Sequence, residues 1–315
     1  TVLMIAPIAL AICKKLNTNP VPFIIAIAVS SNLQGAATLI GDTTAIMLGS
    51  ALDLSFLEFF WYQGKPSIFF AVELGAVLSA FILMFIFRKE NGKIEGFNEK
   101  TKVTDYVPTV LLVSALVLLI LASLIPNKPD ITNGLICCAL LVVGITYKTV
   151  KERNLKSIVP VLKGIDFETI FILLGLFLMI GGISEQGVID KVATFFAEIG
   201  GNNIFLLYTV IVWASVLISA FIDNIPYVAT MIPVIAGISS SLGIDPTPLY
   251  FGLLSGATLG GNCTPIGASA NITGIGILRR NGYEVKNKDF FRIGIPFTLA
   301  AIVPAYIYIW LVYGI

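Results

Sequence analysis

An internal repeat at a fixed spacing is the feature that most constrains how this chain folds. Residues 2–46 align with residues 228–272 without a gap, at an offset of 226 residues. Twelve aligned positions carry the same residue, among them the pairs Pro20/Pro246, Gly35/Gly261, Thr38/Thr264 and Gly41/Gly267. Both copies place glycine, threonine and amide side chains inside otherwise apolar sequence. We therefore expect two related halves, each of which interrupts an apolar segment with polar groups.

The composition indicates that most of the chain is surrounded by lipid. Hydrophobic residues make up 57% of the 315 residues, charged residues only 12%, and the mean hydropathy is +0.92. A soluble globular domain has about twice that charged fraction. Apolar runs, each close to the roughly 20 residues that cross a bilayer as a helix, lie near 67–87, 107–125, 132–147, 169–183, 203–222 and 296–314. They do not alternate as barrel strands do, which predicts an all-α polytopic membrane protein.

Basic residues are distributed unevenly over the loops of this plan. If each predicted span crosses once, 17 of the 20 Lys and Arg residues fall on one side, and Lys65, Lys128 and Lys191 fall on the other. Lys and Arg are enriched on the cytoplasmic side of a membrane. The sequence therefore predicts a multi-pass protein of the cell membrane with its C-terminus outside. The predicted cytoplasmic loops are 89–106, 148–166 and 279–292.

The second half of the chain supplies a complete plan for one repeat. We predict spans at 107–125, 131–147 and 167–184, an amphipathic interfacial segment at 188–200, hairpin arms at 203–222 and 225–240, an interrupted span around 259–271 and a final helix at 296–314. The hairpin is expected to turn inside the protein at 223–226 instead of crossing. Each repeat then crosses the membrane an odd number of times. An odd number inserts the two copies in opposite orientations, as inverted repeats.

The first repeat is expected to be present only in part. Residues 1–106 hold its C-terminal portion, and residues 107–315 hold the complete second repeat. Shifting residue 107 back by the offset of 226 gives −119, so we expect the missing portion to lie before Thr1. The predicted elements are a hairpin arm at 1–15, an interrupted span at 21–50 and a helix at 67–88. A short aromatic element precedes the last helix of each repeat, at 58–66 and 289–296.

Each interrupted span is predicted to form half of an ion or substrate site. A helix that unwinds within the membrane frees backbone groups that lipid cannot satisfy, so protein, water or a bound ion must satisfy them. The half-helix that follows a break directs partial positive charge towards an anion. The candidate binding residues are Ser31, Asn32, Gly35, Thr38, Gly41, Asp42, Thr43, Thr44, Ser219, Asp223, Asn224, Gly261, Asn262, Thr264, Gly267, Ser269 and Asn271.

Few carboxylates lie deep in the apolar sequence, and they are Asp42, Asp223 and Glu73. Ionisable groups at that depth are costly, which makes them candidates for cation ligands or proton carriers. Asp42 and Asp223 are also suited to cap the helices that follow them. The chain has no histidine, so proton chemistry would rest on carboxylates. The four cysteines lack metal-ligand spacing. We expect no cofactor and no enzymatic activity, with Na⁺ or H⁺ as the coupling ion.

Three segments resemble the Ion Transporter superfamily, in particular its branch of arsenite permeases, P protein and citrate-transporter-like permeases. They are SNLQGAATLIGDTTAIML (31–48), SAFIDNIPYVATMIPVI (219–235) and LGGNCTPIGASANITGIGI (259–277). The resemblance covers essentially the whole chain. It implies a homodimeric transporter in which a transport domain slides as an elevator against a scaffold domain. It also implies a cation site with Na⁺ at Asn224, Thr264 and Gly267, and a twin site at residues 38–44.

These observations favour a secondary active transporter of a small inorganic ion or anion, coupled to Na⁺ or H⁺. A Na⁺/H⁺ antiporter with membrane-embedded carboxylates is the alternative, since Gly41-Asp42-Thr43-Thr44 is similar to antiporters of the superfamily. Asp223 at the hairpin tip disfavours a dicarboxylate held beside it. The expected partners are the lipid bilayer, a small substrate and a second copy of the chain, without nucleic acid.

Two functions of other classes fit the sequence less well. A passive channel would share the apolar spans, and uphill accumulation of a substrate would exclude it. An intramembrane aspartyl protease would use two aspartates in apolar segments. Its Tyr-Asp and Gly-x-Gly-Asp motifs are absent, because Ile222 precedes Asp223 and Leu39-Ile40-Gly41 precedes Asp42.

Overall fold

The fold is given by a computed structural model, which describes residues 1–88, 105–123, 125, 129, 131–154, 158–164, 167–200 and 203–314. Within these ranges there are fourteen α-helices: α1 (Val2–Lys15), α2 (Val21–Gly35), α3 (Thr43–Ala51), α4 (Ile68–Phe87), α5 (Val107–Ser123), α6 (Thr132–Glu152), α7 (Ile158–Lys163), α8 (Phe167–Glu185), α9 (Val188–Gly200), α10 (Ile204–Ser219), α11 (Asn224–Leu242), α12 (Thr247–Gly260), α13 (Ser269–Arg280) and α14 (Asn287–Tyr313). A small antiparallel hairpin of β1 (Trp61–Tyr62) and β2 (Lys65–Pro66) lies between α3 and α4.

Four of the described helices, α4, α6, α11 and α14, are long and apolar enough to cross a membrane. α4 contains 20 residues and α14 contains 27, which correspond to about 30 and about 40 Å of helix. The predicted spans at 107–125, 131–147 and 167–184 correspond to α5, α6 and α8. The predicted amphipathic segment forms α9. These elements confirm an all-α polytopic membrane protein.

The described residues divide into two compact units. The first unit comprises those of Thr1–Lys93 and Gly175–Ile315, and the second comprises those of Ile94–Leu174. The predicted domain boundary at residue 106 is the boundary between the two sequence repeats. The compact units are instead defined by which helices pack together. Much of the second repeat therefore packs with the first repeat in one unit.

In the second unit, α5 packs against α6, and polar contacts join their ends. Lys151 Nζ lies 2.6 Å from Asp105 Oδ2, and the Tyr147 hydroxyl donates to Asp105 Oδ1 over 3.2 Å. These hydrogen bonds, that from Lys151 foremost, hold the pKa of Asp105 below its usual range. Asp105 precedes α5 and Lys151 lies in the last turn of α6. These two helix ends therefore lie together.

In the first unit, the sequence repeat reappears as equivalent helices with equivalent starts. α2 and α12 begin 226 residues apart, and so do α3 and α13. The side chain two residues before α2 or α12 accepts a hydrogen bond from the first backbone amide of that helix. Asn19 Oδ1 accepts from Val21 N over 3.0 Å, and Asp245 Oδ1 accepts from Thr247 N over 2.9 Å. The repeat thus extends to the local contacts that start its helices.

Small residues let the helices of the first unit approach closely. Gly252, Gly256 and Gly260 follow each other at intervals of four on α12 and face α10. A Cβ atom at Gly256 would lie 2.6 Å from the Val212 carbonyl oxygen, and one at Gly260 would lie 2.6 Å from the Val216 carbonyl oxygen. Close backbone contact of this kind stabilises helix pairs in membranes, where lipid removes the hydrophobic driving force. α12 is consequently buried along its whole length.

The last helix of the second repeat begins earlier than we predicted. Residues 289–296, predicted as a separate aromatic element, form the start of α14. Asp289 lies in the first turn of that helix, where a negative charge is favourable. Residues 58–66 of the first repeat contain a turn at Gln63 and Gly64, whose φ angles of 51° and 73° are incompatible with a continuous helix. The two elements therefore share composition and differ in structure.

Candidate ion-binding site

Two helix breaks and one hairpin tip come together in the first unit. The first break is residues 36–42, between α2 and α3, and the second break is residues 261–268, between α12 and α13. The hairpin tip is residues 220–223, between α10 and α11. Both breaks lie within the segments in which we predicted interruptions. The hairpin turns earlier than the predicted 223–226, because Asp223 caps α11 and that helix already begins at Asn224. The helices end here because backbone hydrogen bonding is interrupted, which leaves amides and carbonyls for other partners.

Asp42 and Asp223 each cap the helix that follows them. Asp42 Oδ1 accepts a hydrogen bond from Thr43 N over 2.7 Å at the start of α3. Asp223 Oδ1 accepts from Ile225 N over 3.1 Å at the start of α11. Both acids are half-buried. Capping uses one carboxylate oxygen of each acid, so the second oxygen remains available for other contacts.

The second oxygen of Asp42 joins the first break to the hairpin. Asn224 Nδ2 donates to Asp42 Oδ2 over 3.3 Å, and the Thr44 hydroxyl donates to the same oxygen over 3.3 Å. Asn224 is only 3% exposed. These donors are neutral, and Asp223 directly precedes Asn224, so a second carboxylate belongs to the same cluster. The Asp42 carboxylate is therefore held in place without having its charge neutralised, an arrangement that attracts a cation or a proton.

The hairpin tip rests directly on the second break. The Thr264 hydroxyl donates to the Ala220 carbonyl and accepts from Gly267 N over 3.1 Å. A Cβ atom at Gly267 would lie 2.7 Å from the Ala220 carbonyl oxygen and 2.8 Å from that of Ser219. Only glycine permits this approach of backbone to backbone. The contact brings several carbonyl oxygens together near the start of α11.

Asn271, in the first turn of α13, bonds to the backbone of the second break. Its Nδ2 atom donates to the carbonyl oxygens of Gly261 and Thr264, each over 3.0 Å. Its Oδ1 atom is buried and has no hydrogen-bond partner among the described residues. A buried amide oxygen without a partner is unfavourable. It is therefore a ready acceptor for a cation or a proton donor within the second break.

A chain of buried polar contacts links the two repeats. Asn32 Nδ2 donates to the Thr258 carbonyl over 2.6 Å and to Asn262 Oδ1 over 3.0 Å. Asn262 Nδ2 donates to the Val29 carbonyl over 3.0 Å. The hydroxyls of Thr44 and Thr258 lie 3.1 Å apart. α2 is thus joined to α12 through Asn32 and to the second break through Asn262.

The structure brings the other predicted residues into this cluster to different degrees. The Ser219 hydroxyl donates to the Ala257 carbonyl over 2.6 Å and so joins α10 to α12. Gly35 packs against the Asp42 side chain. Ser269 and Gly41 are exposed. Glu73 lies on α4, which does not border either break. The half-buried members of the predicted set are Ser31, Thr38, Asp42, Thr43 and Asp223.

Sequence reasoning missed Thr258, which is fully buried and bonded to both Asn32 and Thr44. It precedes the predicted break at 259 and sits in apolar sequence. The sequence does contain a signal for it, because Thr258 is the repeat equivalent of Asn32 at the offset of 226 residues and both residues are polar.

Two broken helices related by an internal repeat, with a helical hairpin packed on them in a polytopic all-α protein, define a membrane transporter. The family model described as Citrate transporter, CitMHS, matches residues 1–256 and 134–315. The chain therefore belongs to this family, which confirms the resemblance seen in the sequence.

Relatives with similar sequences include two that are named transporters and the P protein. An uncharacterized transporter of Mycobacterium tuberculosis is 34% identical over 317 residues, which cover 99% of this chain and 72% of the relative. An uncharacterized transporter of Synechocystis is 25% identical over 336 residues, covering 99% of this chain and 73% of the relative. The human P protein is 35% identical over 143 residues, covering 43% of this chain and 17% of that protein.

Proposed function

We propose that this protein is a secondary active transporter that moves a small inorganic ion or anion across the cell membrane, coupled to Na⁺ or H⁺. The observation that carries the proposal is the contact between Asp42 and Asn224. It joins a carboxylate of the first break to the first residue of α11, so an ion bound at Asp42 acts on the hairpin as well.

Each break offers a candidate position for the coupling ion. At the first break, Asp42 supplies a charged oxygen, and Thr44 and Asn224 supply polar neighbours. At the second break, we assign Na⁺ to the region of Asn224, Thr264 and Gly267, with Asn271 Oδ1 as a further acceptor. Unwound backbone carbonyls in broken helices are suited to Na⁺ or H⁺.

The charge of the site suggests an order of binding. The family description names citrate, an anion with several carboxylates. Asp42 and Asp223 would repel such an anion, and their hydrogen-bond donors in this site are neutral. A cation bound at Asp42 would weaken that repulsion. We therefore expect the cation to bind before the substrate, which is the coupling a symporter needs.

A Na⁺/H⁺ antiporter is the second candidate function. The observation that favours it is that Asn224, which bonds Asp42, directly follows a second carboxylate, Asp223, in a cluster of neutral donors. Such a pair can exchange a proton for Na⁺ without a further substrate. Proton release on addition of Na⁺, in the absence of any anionic substrate, would favour the antiporter. Citrate-dependent uptake of Na⁺ or H⁺ into proteoliposomes would favour the symporter.

The first test is thermal unfolding of the full-length protein in detergent, titrated with NaCl against choline chloride at constant ionic strength. An ion that binds the folded state stabilises it by about 2.7 kcal/mol at a hundred times its Kd. We expect a saturable, Na⁺-specific rise of the midpoint that is lost in Asp42→Asn and Asn224→Ala. Asparagine caps a helix as well as aspartate does, so Asp42→Asn should retain the midpoint measured without Na⁺.

Asp245→Asn is the matched control. It changes the same side chain at another helix start, where Asp245 Oδ1 accepts from Thr247 N over 2.9 Å outside the breaks. It should keep the full Na⁺ response. A wild-type response to pH alone, abolished by Asp42→Asn, would assign proton coupling. No response of the wild type to either ion would refute the proposed coupling.

The orientation we propose places the basic loops in the cytoplasm. Lys14 Nζ donates to Asn281 Oδ1 over 3.0 Å, so the basic ends of α1 and α13 lie together. Lys65 Nζ donates to the Val312 carbonyl over 2.6 Å, at the opposite end of α14 from its start. This separation of Lys14 from Lys65 supports a C-terminus outside the cell membrane. Labelling of cysteines introduced at residues 15 and 65 by an impermeant reagent would test it.

A further inference from the structure

Thr258 occupies the position where the two repeats meet. It is the repeat equivalent of Asn32, and the two residues contact each other directly, because Asn32 Nδ2 donates to the Thr258 carbonyl over 2.6 Å. Equivalent residues of two repeats can touch only close to the axis that relates them. The Thr258 side chain is fully buried, and its hydroxyl lies 3.1 Å from that of Thr44.

The hydrogen bonds of this cluster have a defined direction. Each threonine hydroxyl has one proton to donate. When Asp42 is ionised, the Thr44 hydroxyl donates to Asp42 Oδ2 over 3.3 Å, so in its contact with Thr258 it is the acceptor. Thr258 therefore donates to Thr44, and Thr44 donates to the carboxylate. Successive hydrogen bonds of this kind polarise and strengthen one another.

We propose that Thr258 is a positioning residue for the cation site at Asp42, acting through Thr44. The inference rests on the proposed function, because it assigns Asp42 to the coupling ion. Thr258 belongs to α12 of the second repeat, whereas Asp42 and Thr44 belong to the first. The bonds of Asn32 to Thr258 and Asn262 hold α12 against α2, so that the Thr258 hydroxyl stays within reach of Thr44.

The test compares Thr258→Val with wild type in the full-length protein. Valine keeps the shape and the backbone carbonyl that Asn32 contacts, and it removes only the hydroxyl. The first readout is the infrared absorption of the Asp42 carboxyl group, identified by its loss in Asp42→Asn. The second readout is the Na⁺ affinity measured by thermal unfolding. We expect the band to shift and the Na⁺ affinity to fall about tenfold, as when the outer partner of a metal ligand is removed.

Two variants separate positioning from general stability. Thr258→Ser keeps the hydroxyl and should restore both the band and the affinity. Thr298→Val removes another buried threonine hydroxyl, which donates to Gly294 within its own helix over 2.8 Å. It should leave both readouts at the wild-type value. If Thr258→Val does not fold, Thr258→Ala removes the same hydroxyl and should shift the same band.

The infrared band decides this inference independently of the proposed function. An unchanged Asp42 band in folded Thr258→Val, or the same shift in Thr298→Val, would overturn the positioning role. A shifted band that serine restores would support it. The response of the wild type to Na⁺ and to pH decides the proposed function separately, because it does not depend on position 258.

Discussion

The two helix breaks follow the same backbone plan and carry different chemistry. In the first break, Asp42 caps the half-helix that follows, and its repeat equivalent in the second break is Ala268. Asn271, in the first turn of α13, bonds two carbonyls of the second break, and its repeat equivalent in α3 is Ala45. The position that carries the polar side chain thus differs by three residues between the repeats. One break carries a negative charge, and the other carries a neutral amide.

This difference indicates a division of labour between the breaks. The second break is held by Thr264, Gly267 and Asn271, which bond or pack against its own backbone and the hairpin tip. The contacts of the first break converge on the Asp42 carboxylate, which an ion can compete for. We infer that the second break mainly fixes the hairpin and that the first break mainly senses the ion.

Gly267→Ala should have the largest effect. Its Cβ atom would lie 2.6, 2.7 and 2.8 Å from the backbone oxygens of Gly261, Ala220 and Ser219. Backbone cannot move aside as a flexible side chain can, so we expect a loss of about 3 kcal/mol in stability or a failure to fold. The measurement is the folded yield and the unfolding midpoint in detergent.

Gly276→Ala is its matched control on the neighbouring helix α13. Among the described residues, no atom outside the adjoining backbone of its own helix lies within 4 Å of the Cβ position at Gly276. Alanine in a helix restricts the unfolded chain, so this variant should be neutral or more stable by about 0.5–1 kcal/mol. A Gly267→Ala protein as stable as Gly276→Ala would show that the hairpin tip does not rest on the second break.

Asn271→Ala should have the next largest effect. It gives α13 the residue that α3 has at the equivalent position, Ala45. The carbonyls of Gly261 and Thr264 lose their donor, which should cost about 2 kcal/mol of unfolding free energy. Asn281→Ala, at the exposed end of α13, should change stability by less than about 0.5 kcal/mol. Equal effects of the two substitutions would contradict a structural role for Asn271.

The strength of the hydrogen bond between Asn32 of α2 and Asn262 of the second break can be measured with Asn32→Ala, Asn262→Ala and the double variant. Asn32 Nδ2 donates to Asn262 Oδ1 over 3.0 Å between buried side chains. Interhelical hydrogen bonds in membrane proteins couple by about 0.6 kcal/mol on average and by about 1.7 at most. We expect a coupling energy in that range from the three unfolding free energies. Strict additivity would mean that the two repeats fold against each other without this bond.

Much of the backbone plan could be predicted from the sequence, because proline, glycine and capping residues act locally. The pairs Pro20/Pro246 and Gly41/Gly267 located both interrupted spans, and Asp42 and Asp223 cap the helices that we expected them to cap. The start of α14 could not be predicted from the sequence likeness between residues 289–296 and residues 58–66. The difference lies in the Gln63-Gly64 turn, which has no counterpart at 289–296.

The contacts between repeats were harder to predict, because they depend on which helix faces cross. Thr258 lies in apolar sequence outside the predicted break, and nothing in its neighbours marks it. The contacts of Asn32 and Thr44 with Thr258 follow from the packing of α2 and α3 on α12. Periodicity and turn residues do not determine that packing. Equivalence across the repeat does point to it, once the offset of 226 is known.

Among the substitutions expected to destabilise the fold, those at the helix starts, where the two repeats are most alike, should have smaller effects than Gly267→Ala and Asn271→Ala. Asn19→Ala and Asp245→Ala each remove the acceptor for the first amide of α2 or α12, which should cost about 1 kcal/mol. Asp245 also accepts from the Thr247 hydroxyl over 2.7 Å, so its loss should be the larger of the two. Asn19→Asp keeps the acceptor and should retain wild-type stability. If Asn19→Ala destabilised the protein more than Asp245→Ala, the repeats would differ in their helix starts as well as in their breaks.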